Sequence, residues 1–574
     1  MKKSMLFSVA LAGLMLGSCS SSDDLNGSGT SENKNGNGYV AFTINLPSQS
    51  NMGGRANDDF KDGLKSEYDV KDATLLLFDG ISEAEATFAK AYKLNTAPWT
   101  DAAGDKNVTT TSATIVKKVD APTSNYYALV VLNRNGVFDL DQDGNVTIGS
   151  SKFTGKLADF LKNATDEDLT KSGFFMSNAP LATKPGGSVD PSDAEVKTLV
   201  SLDGKIKETE ADAKAAPADI YVERAVAKVT MKEPTVSTVT GSKPLGASDE
   251  VKLAITNWVV DNTNKTSYLV RNTEGFSSWL SLKSNATSVT NGYRFVGSNE
   301  VASGLYRTYF AKDMNYDEVV TDAFQDNSAS MKNAFGDDNP QYCFENTFDV
   351  DNQKDNQTTR VLVKAKLNDG TDFYVINGDE NTIYKKDDVV KEIKKAFLTE
   401  YETWIKTNVT SPATVGEDQL TVDISDAAGN VTINSIAITG VAYKAGVTSL
   451  PDGYQETVMN KIGDITEYKN GESYYFVRIK HFGDDLTPWN STETTQPSTA
   501  SVYPAGTNRD GNYLGRYGVL RNNWYEIEVT GVKGLGSAKV PSVTTTTDDE
   551  LESYIAVRIN VLSWAKRTQS TVLH

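Results

Sequence analysis

The chain has 574 residues and a formal net charge of −19, from 57 basic and 76 acidic side chains. This length predicts about two to four domains, and the acidic balance argues against binding to nucleic acid or to an anionic membrane surface, since either needs a cationic face. With two cysteines and two histidines, the sequence excludes a disulfide scaffold and comes close to excluding histidine-based triads and multi-histidine metal sites. No cofactor is predicted.

The N-terminus has the pattern of an export signal. Lys2 and Lys3 precede an apolar run over residues 5–16, which ends in Leu16-Gly17-Ser18-Cys19. This order is typical of a lipoprotein signal, so we predict a signal peptide over residues 1–18 and lipidation of Cys19. The apolar run is too short to span ~30 Å of hydrocarbon, and no later run reaches about 20 apolar residues. The alternative is an ordinary cleaved signal with an incidental cysteine.

A polar tether and a first strand follow the signal. Residues 20–38 are mostly Ser, Asp, Asn and Gly, a composition that cannot bury enough apolar surface to become ordered. Apolar residues then alternate with smaller or polar ones until Pro47. This alternation predicts a half-buried strand whose inward residues are Val40, Phe42, Ile44 and Leu46.

The loop after this strand carries a candidate processing site. Residues 48–59 are polar and contain Gly, and Arg55 lies among them. An exposed arginine in such a loop suits a trypsin-like protease. The alternative is a solvated arginine in a linker. From the residues alone this alternative is preferred. A cut after Arg55 would divide the chain into a propeptide over residues 19–55, which contains the first strand, and a remainder that begins at Ala56.

The body of the chain has the pattern of a mostly β protein. Apolar, β-branched and aromatic runs are separated by Asn, Asp, Gly and Ser about every ten residues, which indicates β-sandwiches rather than βαβ units. The clearest predicted strands are residues 73–78, 126–132, 222–229, 361–367, 474–479, 524–529 and 554–561.

Two segments have helical spacing instead. The first is a short one around Leu157, Phe160 and Leu161. The second is a longer amphipathic helix, whose apolar face we expect to dock on its own sheet. Its marker residues are Val390, Ile393, Phe397, Tyr401 and Trp404.

A domain boundary is predicted in the stretch over residues 233–249, which contains Pro, Gly and Ser. It separates an N-terminal domain over residues 56–240 from a C-terminal domain over residues 250–574.

Taken in order, these motifs resemble the Bacteroidales fimbrillins, the type V pilins. In the first half the resemblance rests on the lipobox, which is the segment Leu16-Gly17-Ser18-Cys19, and on the early strand with an arginine after it. It rests also on residues 126–133, 173–179 and 222–229. In the second half the motifs resemble the Mfa-like major fimbrial subunits, over residues 258–271, 342–348, 521–530 and 531–537. The resemblance runs nearly end to end. It implies two tandem Greek-key, transthyretin-like β-sandwich domains with a few short helices.

The resemblance also implies a route to the cell surface. Family members reach the outer-membrane surface as lipidated precursors, and Asp23-Asp24 resembles the acidic surface-export signal of that phylum. An Arg-specific protease would then cut after Arg55. The cut would remove the lipid anchor together with the first strand and leave a chain that starts at Ala56.

Loss of the first strand would open an apolar groove that accepts a strand from another subunit by β-strand addition. The predicted donor lies at residues 565–574, with Val572 and Leu573 as anchors. The alternative is that this strand completes its own sheet. The implied partners are other copies of the chain, minor anchor or tip subunits, the protease and host surface glycoproteins, in an extracellular fimbria that supports adhesion. The sequence leaves open whether the subunit forms the shaft or the tip.

Two other classes of function remain as alternatives. A lipoprotein that stays anchored would bind glycan or host protein, with aromatics such as Trp404, Trp489 and Tyr517 available for sugar stacking. A secreted hydrolase would use paired carboxylates, which nothing in the sequence favours.

A calcium site is a further alternative at residues 139–144, which have the first half of an EF-hand loop. Ser150 stands where the bidentate glutamate belongs, so a polar turn is the preferred interpretation.

Overall fold

The computed structural model describes the chain in segments. These are residues 38–47, 64–67, 69–95, 100–101, 109–160, 164–165, 173–180, 197–272, 296–301, 305–308, 313, 323–347, 354–481, 517–545, 555–562 and 567–568. Five predicted site residues lie outside them, namely Cys19, Arg55, Ala56, Val572 and Leu573.

The described segments of the first half contain the strands β1 to β16. They are β1 (Gly38–Pro47), β2 (Ala73–Gly80), β3 (Thr87–Leu94), β4 (Thr100–Asp101), β5 (Thr109–Val119), β6 (Asn125–Leu132), β7 (Asp139–Leu140), β8 (Val146–Ile148), β9 (Ser151–Lys152), β10 (Ala164–Thr165), β11 (Met176–Asn178), β12 (Val200–Ser201), β13 (Ala218–Arg224), β14 (Ala227–Met231), β15 (Thr238–Val239) and β16 (Lys243–Pro244).

The described segments of the second half continue the series. They contain β17 (Val251–Asp261), β18 (Thr263–Asn264), β19 (Thr266–Ser267), β20 (Val296–Val301), β21 (Leu305–Thr308), β22 (Phe324–Gln325), β23 (Gln341–Cys343), β24 (Arg360–Leu367), β25 (Phe373–Ile376), β26 (Thr382–Ile383), β27 (Val409–Ser411), β28 (Leu420–Ile424), β29 (Gly429–Asn430), β30 (Ile433–Ile438), β31 (Ala442–Tyr443), β32 (Ile465–Tyr468), β33 (Glu472–Arg478), β34 (Trp524–Val532), β35 (Ile555–Leu562) and β36 (Arg567–Thr568).

Helices are few in the described segments, and none of them is long and apolar enough to cross a membrane. The α-helices are α1 (Glu210–Ala215), α2 (Lys386–Glu400), α3 (Glu402–Asn408) and α4 (Tyr454–Ile462). Short 3₁₀-helices cover Lys65–Glu67, Leu157–Asp159, Ser328–Ser330, Asp355–Gln357, Asn368–Gly370, Glu417–Gln419 and Lys469–Gly471. The predicted mostly β class is confirmed, whereas the Greek-key connection stays a prediction.

The first core lies inside a nine-stranded sheet. Its strand order is β3-β2-β6-β11-β13-β1-β5-β4, with β12 paired to β6. Inward residues of β1, β2, β6 and β13 belong to one buried cluster, so the sheet bends around a single core. Four phenylalanines fill one end of it in edge-to-face contacts, which suit the aromatic quadrupole. They are Phe78, Phe138, Phe153 and Phe160.

The run over residues 222–229 was predicted as one strand, and this prediction is wrong. β13 ends at Arg224 in the first sheet, and β14 begins at Ala227 in a second sheet, where it runs parallel to β34. Every residue of this run is buried, including the charged Glu223, Arg224 and Lys228, so no alternation between buried and exposed positions reveals the change of sheet. The predicted domain boundary at residues 233–249 stays a prediction.

The second core lies between two facing sheets. One has the order β23-β14-β34-β35-β36 and the other β15-β17-β24-β33. Buried residues of β14 and β34 share a cluster with those of β17, β24 and β33, as expected for a sandwich. Cys343, expected to be buried, is 4% exposed and belongs to this cluster.

A third core lies in the insertion between β24 and β33. Residues 368–471 connect these two antiparallel neighbours and contain α2, α3, α4 and a cluster of their own. The predicted long helix is confirmed as α2 and α3, which meet at Tyr401. Its apolar face contacts β25 and β28, as predicted, but Val389 rather than Val390 is the fully buried valine.

The candidate calcium loop is a hairpin turn between β7 and β8. The Asp141 carboxylate accepts hydrogen bonds from the backbone and the side-chain nitrogen of Asn145, at 2.8 and 2.7 Å. These hydrogen bonds lower the pKa of Asp141. Gly144 has a φ of +82°, which glycine adopts without strain. The geometry is that of an Asx-type turn.

The free energy of unfolding should fall as the pH rises from about 4.5 to about 7. Burial raises the pKa of Glu345 from 4.5 to about 7, although Arg521 lies 3.7 Å away and opposes the shift. In this window the folded state binds more protons than the unfolded state, so stability is lost with rising pH. Urea titrations at each pH should show that the free energy of unfolding falls with a shallower slope against pH in Glu345→Gln than in the unsubstituted protein. An unchanged slope would assign the pH dependence to other carboxyls.

Candidate strand-exchange site

Strand β1 lies inside the first sheet rather than at its edge. It pairs antiparallel with β5, from Gly38 opposite Val119 to Pro47 opposite Thr109. On its other side it runs parallel to β13, with Phe42 opposite Ala218. Among the described residues, β4 and β5 are joined to the rest of the sheet only through β1. The predicted first strand is therefore confirmed as a strand, and it holds two parts of the sheet together.

The inward side of β1 is fully buried. Val40, Phe42 and Ile44 are each 0% exposed and belong to the first core. The sequence predicted a strand with one buried and one exposed side, and the side chains on the inward side of β1 are completely buried. Burial of a large apolar side chain contributes about 1.5–3 kcal/mol, so these three account for roughly 5–9 kcal/mol gross. The side chain of Leu46 lies outside the described residues, although its backbone is part of β1.

Removal of β1 would leave a slot between two unpaired strand edges. Neighbouring strands lie about 4.8 Å apart, so β5 and β13 would stay roughly 9.5 Å from each other, which is the width of one missing strand. The slot would present unpaired backbone N–H and C=O groups on both sides and an apolar floor. Both features favour an added strand.

A strap, which we define as residues 207–216, runs from the edge of β1 onto its outer face and includes α1. It starts directly after Ile206, which belongs to the first core, and its first residue pairs with Tyr39 of β1. The backbone N–H of Tyr39 donates to Lys207 O at 2.7 Å, and the N–H of Lys207 donates to Tyr39 O at 2.8 Å. Helix α1 contacts both β1 and β5. Ala213 on α1 is 0% exposed, and Ala41 on the outer side of β1 is 1% exposed although it lies outside the first core.

The sequence analysis did not predict the strap. Its helix has six residues, too few for apolar periodicity to be visible. The available signal was the cap: the Thr209 hydroxyl accepts from Asp212 N at 3.1 Å. A threonine three residues before an acidic residue marks helix starts.

A buried ion pair fixes the chain that follows the predicted cleavage site. Lys228 Nζ lies 2.7 Å from Glu67 Oε1, and both side chains are 0% exposed. Tyr342 donates to the same oxygen at 2.7 Å, and Lys228 Nζ lies 3.8 Å from the centre of the Trp524 ring. Burial lowers the pKa of Lys228, and Glu67 opposes this shift. Because Glu67 precedes β2 whereas Lys228 is on β14, the pair joins the two sheets.

The C-terminal segment pairs within its own chain. β35 runs antiparallel to β34, from Trp524 opposite Leu562 to Val532 opposite Ile555. Arg567 and Thr568, from the predicted donor at residues 565–574, form β36 beside β35. The anchors Val572 and Leu573 lie outside the described residues.

The aromatics proposed for sugar stacking do not form one exposed surface. Tyr517 is 2% exposed, so it is buried and cannot stack on a sugar. Trp404 is partly buried against the third core. Trp489 lies outside the described residues. The prediction for Tyr517 is wrong because an aromatic in a polar segment can still fold inward.

Residues 466–570 match the family described as major fimbrial subunit protein type IV, fimbrillin, C-terminal. This stretch of the chain is similar to the C-terminal part of the fimbrillins. The match spans β33, β34, β35 and β36, and it confirms the resemblance to the fimbrillins that the sequence motifs predicted. Among curated proteins, none matches the chain.

Solved structures similar to this chain come from related bacteria. A candidate cell adhesion protein from Parabacteroides distasonis is 9% identical, with a TM-score of 0.39 over 93% of this chain and 99% of its own. A second candidate cell adhesion protein, from Bacteroides eggerthii, is 12% identical, with a TM-score of 0.31 over 94% and 100%. The C-terminally truncated tip fimbrial protein Mfa3 from Porphyromonas gingivalis is 11% identical, with a TM-score of 0.24 over 92% and 100%. At these TM-scores the likenesses carry no argument about function.

Proposed function

We propose that this protein is a structural subunit of a cell-surface fimbria that assembles by strand exchange. The observation that carries the proposal is the place of β1. Its inward side chains Val40, Phe42 and Ile44 are fully buried, it is hydrogen-bonded on both sides, and it lies within the segment that cleavage after Arg55 would release. The fimbrillin segment at residues 466–570 supports a fimbrial role. The role is structural rather than catalytic.

The proposed route begins with a precursor lipidated at Cys19 and held at the outer-membrane surface. An Arg-specific protease cuts between Arg55 and Ala56, and β1 leaves with the lipid anchor. The slot between β5 and β13 then receives a C-terminal strand from another copy, for which residues 565–574 are the first candidate. Because such head-to-tail contacts do not close on themselves, they generate a filament.

The proposed partners follow from this geometry. Other copies of the chain form the filament, and minor anchor or tip subunits end it. The Glu67–Lys228 pair keeps the new N-terminal region attached to the sandwich after cleavage. Host surface glycoproteins are the proposed targets of adhesion by the extracellular fimbria.

The test is the N-terminal residue of the protein in sheared surface filaments, beside that of an Arg55→Ala strain. Mass spectrometry of wild-type filaments should find Ala56 at the N-terminus. The variant should keep lipidated Cys19 and remain monomeric on the cell. Arg134→Ala is a matched control, because Arg134 is held by Asp72 at 3.1 Å in the folded domain and should leave processing unchanged. A wild-type protein that keeps Cys19 and forms no polymer would instead be an anchored surface lipoprotein.

A further inference from the structure

Two strands of this chain share a sequence pattern. Residues 39–46 read Tyr-Val-Ala-Phe-Thr-Ile-Asn-Leu, and residues 554–561 read Tyr-Ile-Ala-Val-Arg-Ile-Asn-Val. The two segments are identical at four of eight positions, and three of the other four are apolar in both. The first segment forms most of β1 and the second most of β35, so both adopt strand backbone.

The slot of β1 places different demands on its two faces. The floor accepts the large apolar residues Val40, Phe42 and Ile44, all fully buried. The outer face lies under the strap. The outward residue that is buried there is the small Ala41. The next outward residue, Thr43, is only half-buried and lies beside exposed Thr114. A strand that enters this slot therefore needs a small residue at the third position of the pattern, where β1 has Ala41, and tolerates a larger polar one at the fifth, where β1 has Thr43.

The segment over residues 554–561 meets these demands in one register only. Aligned in the direction of β1, it places Ala556 at the position of Ala41 and Arg558 at the position of Thr43. In the opposite direction, with Val561 at the position of Val40, Asn560 would replace Ala41. A buried amide without an assured partner is costly.

Resting on the proposed strand exchange, we propose that residues 554–561 of a second copy enter the slot in the register of β1 and that the strap selects them through the small side chain of Ala556. In this exchange β35 gives up its ladders with β34 and β36. It takes the place of β1, which pairs with β5 from Gly38 to Pro47 and with β13 from Phe42 to Asn45. The strap thus acts as a specificity element that fixes both the donor and its direction.

The experiment uses the full precursor, cut by an Arg-specific protease in the presence of fluorescent peptides. The peptides are residues 38–47 as the positive control, residues 554–562, and residues 565–574. Native mass spectrometry measures which peptide the cut chain retains, and anisotropy gives its affinity. We expect the first two to bind and to stop polymer growth.

Peptide variants test the role of the strap. Ala556→Leu should bind about tenfold or more weakly, because an added side chain has no room under the strap. Arg558→Thr is the matched control and should bind like the parent peptide. A subunit whose strap residues 209–216 are replaced by a Gly-Ser linker should no longer distinguish Ala556→Leu from the parent.

The outcomes separate this inference from the proposed function. If peptide 38–47 binds but peptide 554–562 does not, or if Ala556→Leu binds as well as its parent, strand exchange stands and this inference is overturned. If peptide 565–574 is the only one that binds besides the positive control, strand exchange likewise stands and this inference is overturned. If no peptide binds to the cut chain, even peptide 38–47, the proposed function fails first.

Discussion

Replacement of Phe42 by alanine should destabilise the precursor by about 3–5 kcal/mol and leave the assembled fimbria unchanged. Phe42 is fully buried in the first core, so its truncation leaves a cavity in the uncut chain. In the proposed assembly, β1 is discarded with the propeptide, and the polymer contains no copy of Phe42. Urea titration of the precursor and thermal melting of purified filaments measure the two effects separately.

The matched control for this prediction is Ile220→Ala. Ile220 lies on β13, next to Ile44 in the register, and is equally buried. Because β13 stays in the subunit, this variant should lower the stability of the precursor by about 2–5 kcal/mol and lower the melting temperature of the filament as well. Filaments of Phe42→Ala that melt as early as those of Ile220→Ala would mean that β1 is retained after assembly.

Replacement of Lys228 by methionine should lower the free energy of unfolding by about 3–5 kcal/mol in precursor and mature chain alike. The variant removes the cation that lies 2.7 Å from the buried Glu67 carboxylate, and the hydrogen bonds donated by Tyr342 and by the backbone of Leu64 do not neutralise its charge. Addition of Glu67→Gln should recover much of the loss, since a neutral amide still accepts the Tyr342 hydrogen bond. Denaturant titration of the single and double variants measures the coupling.

An exposed pair provides the comparison for Lys228. Lys252 and Asp369 lie 2.9 Å apart, but both side chains are more than two-thirds exposed. Lys252→Met should leave the denaturation midpoint unchanged, because water already screens this pair. If Lys228→Met lowers the free energy of unfolding by no more than Lys252→Met does, the Glu67 site takes up water or a proton when its partner is removed.

Much of the local structure was visible in the sequence because it depends on periodicity. The alternation of Val40, Phe42 and Ile44 predicts a strand, and the helical spacing of Ile393 and Phe397 predicts a helix; both are confirmed. The strap was not visible, because a six-residue helix leaves no periodic pattern. The change of sheet after Arg224 was hidden by continuous burial of the run.

The pairing of strands required the fold. No local pattern tells that β1 lies between β5 and β13, or that it runs parallel to one and antiparallel to the other, because strand order is set by long-range contacts. The burial of Glu67 with Lys228 was equally hidden. Charged residues are usually exposed, and only the meeting of two sheets brings this pair together out of water.

The sequence by itself therefore determined an acidic, mostly β chain with an early amphipathic strand, together with motifs that resemble those of the fimbrillins. The charge follows from composition and the strands from their two-residue period, which are local properties, whereas the motifs rest on the resemblance to that family. Only the tertiary structure decided that this early strand is interior, what covers its outer face, and hence which side chain a replacement strand needs at each position. Those properties depend on neighbours that are distant in the chain, since Pro47 faces Thr109 and Phe42 faces Ala218, and no local pattern encodes such pairs.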